Sequence, residues 1–220
     1  MVMPLPMEHA MYLPPHFEET DPETIRALVE AAPLAAVVAQ TAEGLMANHI
    51  PLLMAPDGHL IGHVALANDM HRQVAGGQEV LAIFRGEDAY VSPNYYPSKA
   101  EHHRHVPTWN YQVVHVRGRI TFQHDDHAKR AAVGLLTRSH ERRVNGGNGW
   151  RMADAPADYM ATMLAAIVAF RIDVTAVRAK SKLSQNREAH DHAGAVAGLR
   201  ASGQGEMADL MQRKRPGPEV

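Results

Sequence analysis

The sequence predicts a mainly β protein, a small antiparallel barrel with helices set outside it, and three observations point there. Runs of apolar and β-branched residues of strand length recur along the chain, separated by Gly, Pro, Asn and Asp turn signals. Helical patterns are few and do not alternate strictly with the strands, as they would around a parallel sheet. No internal repeat and no linker separates two cores, so the 220 residues read as one domain, 1–220, with a helical C-terminal segment from about residue 187.

In chain order, residues 11–17 read as an extended entry. Thr20 and Asp21 then cap a helix with Pro22 and Glu23 in its first turn and Ile25, Leu28 and Val29 on one face. Pro33 stops it, and LAAVVAQ (34–40) is apolar enough for a buried strand. A turn at Glu43 and Gly44 leads into LMANHIPLLM (45–54), which makes the two runs a hairpin. Pro56, Asp57 and Gly58 turn the chain into HLIGHVALA, a third strand returning beside the second. Residues 68–74 form a helical turn ended by Gly76 and Gly77, and EVLAIFR (79–85) supplies a fourth strand in what reads as a meander.

The longest β-like run is TWNYQVVHVRGRITFQ (108–123), with Gly118 as a bulge or a point of close approach. Asp125 and Asp126 cap a helix through about Glu141, a flexible NGGNG (145–149) follows, and residues 156–164 are helical in composition. A last strand over 165–180 is placed to close the barrel. The pattern over 186–213 is weakly helical, broken by Gly194, Gly198, Gly203 and Gly205, and RKRPGPEV is a frayed tail.

Composition narrows the function. With no cysteine there is no disulfide framework, thiolate metal site or cysteine nucleophile. The opening MVMPLPMEHAMYLPP lacks the pattern of a signal peptide, and no apolar run approaches the roughly 20 residues that span a bilayer. These features predict a soluble, cytoplasmic protein with no membrane contact. A net charge of -2 and a pI near 6.7 give no footprint of a nucleic-acid-binding surface.

The chemistry gathers in three clusters. VSPNYYPSKAEHHRHVPTWNY (91–111) holds three prolines that forbid a long helix, together with Tyr95, Tyr96, Trp109 and Tyr111. It reads either as a wall on which a planar ligand stacks or as a Pro-stiffened loop pinned to a sheet by its rings. GHVALAN (62–68) ends a strand in small residues and an Asn, which suits an anion nest or a plain turn. KSKLSQN (180–186) crowds two cations, two hydroxyls and two amides into one loop, a density that favours a binding surface. The histidines among residues 102–127 lack HExxH spacing and partner carboxylates, so no metal site is assigned. Nucleophile-elbow, P-loop and GxGxxG patterns are absent from the chain, and no catalytic residue is assigned.

Taken together, MYLPPHFEETD, GHVALAND, DAYVSPNYYPSK with VPTWNY, and KSKLSQN occur in an order that resembles the PaiB-like family, the FMN-binding negative transcriptional regulators, over nearly the whole chain. Ser181 stands where the family often has Trp, and Asn94 where Ser is common. The resemblance implies an FMN-binding split β-barrel of the pyridoxamine-oxidase-like kind, a homodimer with FMN at the subunit interface, and a role as a repressor in which DNA contact belongs to the family label and finds no support in the charge. It implies that His63, Ala65 and Asn68 line the ribityl and phosphate end of FMN. Thr108, Trp109 and Asn110 would lie beside the ring, and Lys182, Ser184, Gln185 and Asn186 near the phosphate or across the dimer. The rival readings are an FMN-dependent oxidoreductase acting on a small metabolite and a haem-binding or haem-degrading split barrel that uses one of the histidines.

Overall fold

A computed structural model describes residues 11–214. The readings of the first ten residues and of the tail from Arg215 onward lie outside the described residues. Contacts group the chain into two compact units. One is formed by the described residues of Met1–Ile25, Arg85–Val114 and Arg178–Val220, the other by Arg26–Phe84 and His115–Val177.

In the second unit, β2 (Leu34–Thr41) and β3 (Gly44–Pro51) form the expected hairpin, in register from Leu34↔Pro51 to Thr41↔Gly44. Gly44 has φ +114, which an L side chain rarely adopts, and the Thr41 hydroxyl closes the turn on the Gly44 carbonyl at 2.9 Å. The run expected as one strand over 45–54 divides at Leu52, and Leu53–Met54 forms a separate short strand, β4. Pro51 has no N–H to extend a ladder, and the Leu52 N–H instead donates to the Pro33 carbonyl at 2.8 Å while its side chain is 1% exposed.

The meander does not continue as read. β5 (Leu60–Ala65) pairs with β4 over only two residue pairs and otherwise with β8 (Ile167–Lys182), from Leu60↔Ile172 to Ala65↔Ile167. β6 (Glu79–Val91) returns to β2, and with β7 (Thr108–Gln123) the strand order is β3-β2-β6-β7-β8-β5-β4. Burial of Leu60, Ile61 and Gly62 in succession marks β5 as covered on both faces, which an edge of a meander would not be. At Gly118 a Cβ would lie 2.5 Å from Ile172 Cγ2 and 2.6 Å from the Asp173 carbonyl, so the glycine permits a close strand approach. The long helix α4 (Asp126–Asn145) is capped by Asp125, which accepts from the Ala128 N–H at 2.8 Å, and its Ala132 packs with Ala55, Ile61 and Ala169.

The fourth strand runs six residues past the expected end at Arg85, and its buried face changes parity across the polar Arg85 to Asp88 stretch: Val80, Ala82 and Phe84 are buried before it, Ala89 and Val91 after it, with Tyr90 exposed. These belong to the first unit, where β1 (Glu18–Glu19) pairs with the end of β8. The C-terminal segment forms α6 (Ala189–Ala201) and α7 (Gly205–Arg213), with Gly203 between them. Gly194 and Gly198 do not break α6. A Cβ on Gly194 would sit 2.4 Å from the Tyr95 carbonyl, and one on Gly198 2.3 Å from the Tyr95 ring, so both let the helix lie against the Pro-rich loop. Tyr96, 2% exposed, joins Ala89, Val91, Leu183, Leu199, Met207 and Met211 in a core, with Tyr95 packed beside it. Two of the four loop aromatics therefore hold the loop to the helices and do not form a ligand wall.

Candidate functional site

In the first unit, the start of β7 and the end of β8 bring two of the sequence clusters together. Lys182 Nζ donates to the Thr108 hydroxyl at 2.5 Å and to the Trp109 carbonyl, and it lies 5.9 Å from the Phe17 ring centroid. Burial, then the charges of Lys180 and Arg187, lower the Lys182 pKa from its ordinary value. Lys180 is buried, donates to the Tyr12 carbonyl at 3.1 Å and sits 5.3 Å from each of the Tyr12 and Tyr111 rings. Arg187 lies over Tyr96 at 4.9 Å. None of the three cations meets a carboxylate among the described residues. The nearby buried Glu19 carboxylate is paired instead with Lys214 at 2.6 Å, so the three cations, held close together with no ion pair of their own among the described residues, make a site whose electrostatics favour an anion.

The remaining residues of these clusters shape the loop. Asn110, fully buried, donates through its amide to the Ser184 hydroxyl at 2.9 Å, and that hydroxyl approaches the Asn110 amide oxygen at 3.2 Å. Ser184 has φ +64, a conformation favourable for few side chains, and its carbonyl accepts from Arg187 N at 3.0 Å. Gln185 clamps the same turn, accepting from the Leu183 N–H at 2.7 Å and donating to the Ser181 carbonyl at 2.5 Å. Ser181 accepts from Gln112 at 3.0 Å and donates to the buried Glu19 carboxylate at 3.4 Å, so a small hydroxyl fills this position in a buried polar set. Asn186 is exposed, and Trp109 presents half its surface (53%) with its ring edge-on to Tyr90 at 6.2 Å. Trp109 and Asn186 are thus exposed, and Lys182 and Thr108 partly so.

Sequence reasoning missed a buried set of polar groups in this unit. Asp191 on α6 accepts from the Ser98 N–H at 3.0 Å and from the Ser98 hydroxyl at 2.7 Å, and His105 Nε2 lies 2.7 Å from the same hydroxyl. Burial alone would raise the Asp191 pKa, yet the two Ser98 hydrogen bonds and the His190 and His105 charges outweigh it and hold the carboxyl below its ordinary value. Each residue looks like a surface residue in sequence. Only the Asp-His density of the segment hinted at a buried partner.

In the second unit, His63 and Ala65 lie on β5 and Asn68 just after it. Asn68 donates to the Asn48 side chain at 2.9 Å and accepts from the Met70 N–H at 2.9 Å, so it fixes the turn. Ala65 is exposed. His63 lines a cavity of about 310 Å³ together with Thr137, His140, Glu141 and Trp150. Its buried Nδ1 has no hydrogen-bond partner, and burial lowers its pKa, which favours the neutral ring.

Over residues 11–176 the chain matches the family described as "Putative FMN-binding domain". It is 30% identical over 210 residues to the protease synthase and sporulation protein PAI 2 of Bacillus subtilis (strain 168), covering 93% of this chain and 98% of that protein. Among solved structures, the FAD and heme binding protein from Mycobacterium smegmatis aligns with a TM-score of 0.57 at 20% identity, over 75% of this chain and 73% of that one. The flavocytochrome Anf3 from Azotobacter vinelandii aligns with a TM-score of 0.53 at 15% identity, over 75% and 69%. These two are likenesses of fold: a mainly antiparallel sheet with flanking helices, that of the split-barrel flavoproteins.

Proposed function

Because the chain belongs to the PaiB-like family of FMN-binding proteins, we propose that its flavin is FMN and that Lys182 faces the phosphate. The observation that carries this is the cluster of Lys180, Lys182 and Arg187, which has no carboxylate partner among the described residues and in which burial and like charge lower the Lys182 pKa. A phosphate dianion would offset the repulsion among the three cations and favour the protonated Lys182 amine. Trp109, half-exposed at the start of β7, supplies a face for the ring, and Thr108 orients the Lys182 amine. Asn110, Ser184 and Gln185 act by fixing the loop that carries these groups. The bound flavin would supply redox chemistry, and the residues named here bind and orient it.

We further propose, on the resemblance to the PaiB-like family, a cytoplasmic homodimer that acts as a negative transcriptional regulator. A net charge of -2 offers no surface for DNA phosphates, so the regulation proposed is indirect. The test compares FMN with riboflavin by quenching of flavin fluorescence in the wild type and Lys182→Ala. A charge-assisted phosphate contact is worth roughly 1.5–3 kcal/mol, so FMN affinity should fall about ten- to a hundredfold while riboflavin affinity stays nearly level. Equal losses for both ligands would place the phosphate elsewhere.

A further inference from the structure

The second unit holds a larger cavity, about 670 Å³, between α4 and the Gly-rich turn that follows it. Its walls include Arg138 and Arg142 on α4, Arg151 after the turn, and the side chains of Thr137, Trp150 and Met152. None of these residues appeared in the sequence reading as a candidate site. The volume lies within the roughly 300–1,000 Å³ range of small-molecule pockets.

Three features of this wall remain unexplained by folding. Arg138 and Arg142 are four residues apart on one helix face, where like charges repel, and neither has an ion pair or side-chain hydrogen bond among the described residues. Arg143, next to them, is used differently: it donates to the Glu30 carbonyl at 2.9 Å. The one carboxylate of the wall, Glu141, accepts from the Asn145 side-chain amide at 2.7 Å and from the Trp150 backbone N–H at 3.0 Å. Second, the Trp150 indole is 43% exposed at the cavity, and its N–H has no acceptor among the described residues. Third, Gly134 sits inside α4 although a Cβ there would meet only Met152 Sδ, at an ordinary 3.5 Å. Alanine would fit there and is the better helix former, so neither close packing nor the helix calls for this glycine in the cavity wall.

A ring face, two free guanidiniums and open volume define the ligand chemistry. Glu141 is ionised, since the hydrogen bonds from Asn145 and Trp150 hold its pKa below the ordinary value, and this fixed negative charge disfavours a dianion relative to a monoanion. We infer that this pocket binds a small aromatic carboxylate, its ring against Trp150 and its carboxylate between Arg138 and Arg142. The pocket is built from residues 134–152 and shares Thr137, Glu141 and Trp150 with the cavity lined by His63, so its test includes competition with FMN.

The test is calorimetric titration of 2-naphthoate into the full chain, flavin-free and FMN-saturated, with 2-naphthalenemethanol, cyclohexanecarboxylate and phenyl phosphate as comparisons. Saturable one-to-one binding of naphthoate is expected, about tenfold or more tighter than that of the neutral alcohol or the non-aromatic acid, and weakened by added salt. The Arg138→Gln/Arg142→Gln double variant, altered at two exposed positions, should keep the wild-type circular dichroism and lose about tenfold in naphthoate affinity. In a Trp109→Phe background the remaining indole emission should change with the same midpoint. Absence of saturation by about 10 mM, a scale at which even the weakest specific contacts register, would overturn the inference. So would equal binding of the alcohol, tighter binding of phenyl phosphate, or an unchanged double variant. Displacement of naphthoate by FMN would make the pocket part of the flavin site and overturn it as a separate one, whereas a failure of FMN to bind at all would touch only the flavin reading.

Discussion

Replacing Asp191 removes the acceptor that ties the Pro-rich loop to α6, and the geometry sets the size of the effect. In Asp191→Ala, the Ser98 N–H at 3.0 Å and hydroxyl at 2.7 Å both lose their partner at a site where Ser98 is 4% exposed. A buried donor left unmade costs about 1–3 kcal/mol, so the pair should cost about 3 kcal/mol once His105 takes up part of the hydroxyl's demand. At about 2–4 °C per kcal/mol for a chain of this size, Tm should fall by roughly 6–12 °C. Asp191→Asn should lose about half as much, on the order of 1.5 kcal/mol: its carbonyl keeps the Ser98 N–H, and the Ser98 hydroxyl turns toward His105 Nε2, 2.7 Å away. The pH dependence has a definite sign. A carboxyl held below its unfolded pKa contributes stability in full above about pH 4 and loses it as pH falls through the lower folded value. The wild type should therefore lose stability more steeply in acid than either variant. Thermal unfolding from pH 2 to 7, with hydrogen exchange at the Ser98 amide, reads both. A Tm within about 1 °C of wild type for Asp191→Ala, or additive losses with Ser98→Ala, would refute the argument that these groups act as one network.

Gly118→Ala should destabilise by about 2 kcal/mol or more in urea unfolding, because the added Cβ meets the Asp173 carbonyl at 2.6 Å, and backbone does not yield as a side chain does. Trp109→Ala should weaken flavin binding by about 1 kcal/mol with Tm unchanged, since a ring 53% exposed contributes little to the core; a large drop in Tm would make Trp109 structural. Burial, the leading cause in each case, lowers the pKa of His63, His140 and His192. Their contribution is therefore complete above about pH 6.5 and lost as pH falls through the folded values, so urea midpoints should decline on acidification, less so in His63→Gln.

The local signals in this chain were reliable where the physics is local. The Asp125 cap, the hairpin at Gly44 and the strand run 108–123 follow from side chains acting on their own backbone or on neighbours a few residues away. The order of blocks also fixed the family, and the crowding of cations in KSKLSQN pointed to the Lys182 cluster. Other features depended on who meets whom. Whether β5 pairs with its sequence neighbour or with β8, more than a hundred residues on, is decided by two-sided burial, which an alternation pattern read in one dimension does not contain. The same holds for Tyr96, an apparent ligand ring that is 2% exposed because Leu199 and Met211 come from the far end of the chain to cover it. Gly194 and Gly198 look like helix breakers, yet their lack of a Cβ serves a close approach to Tyr95. Ser98, His105 and Asp191 carry no motif at all, and their hydrogen bonds exist only because folding removes water from groups up to 93 residues apart.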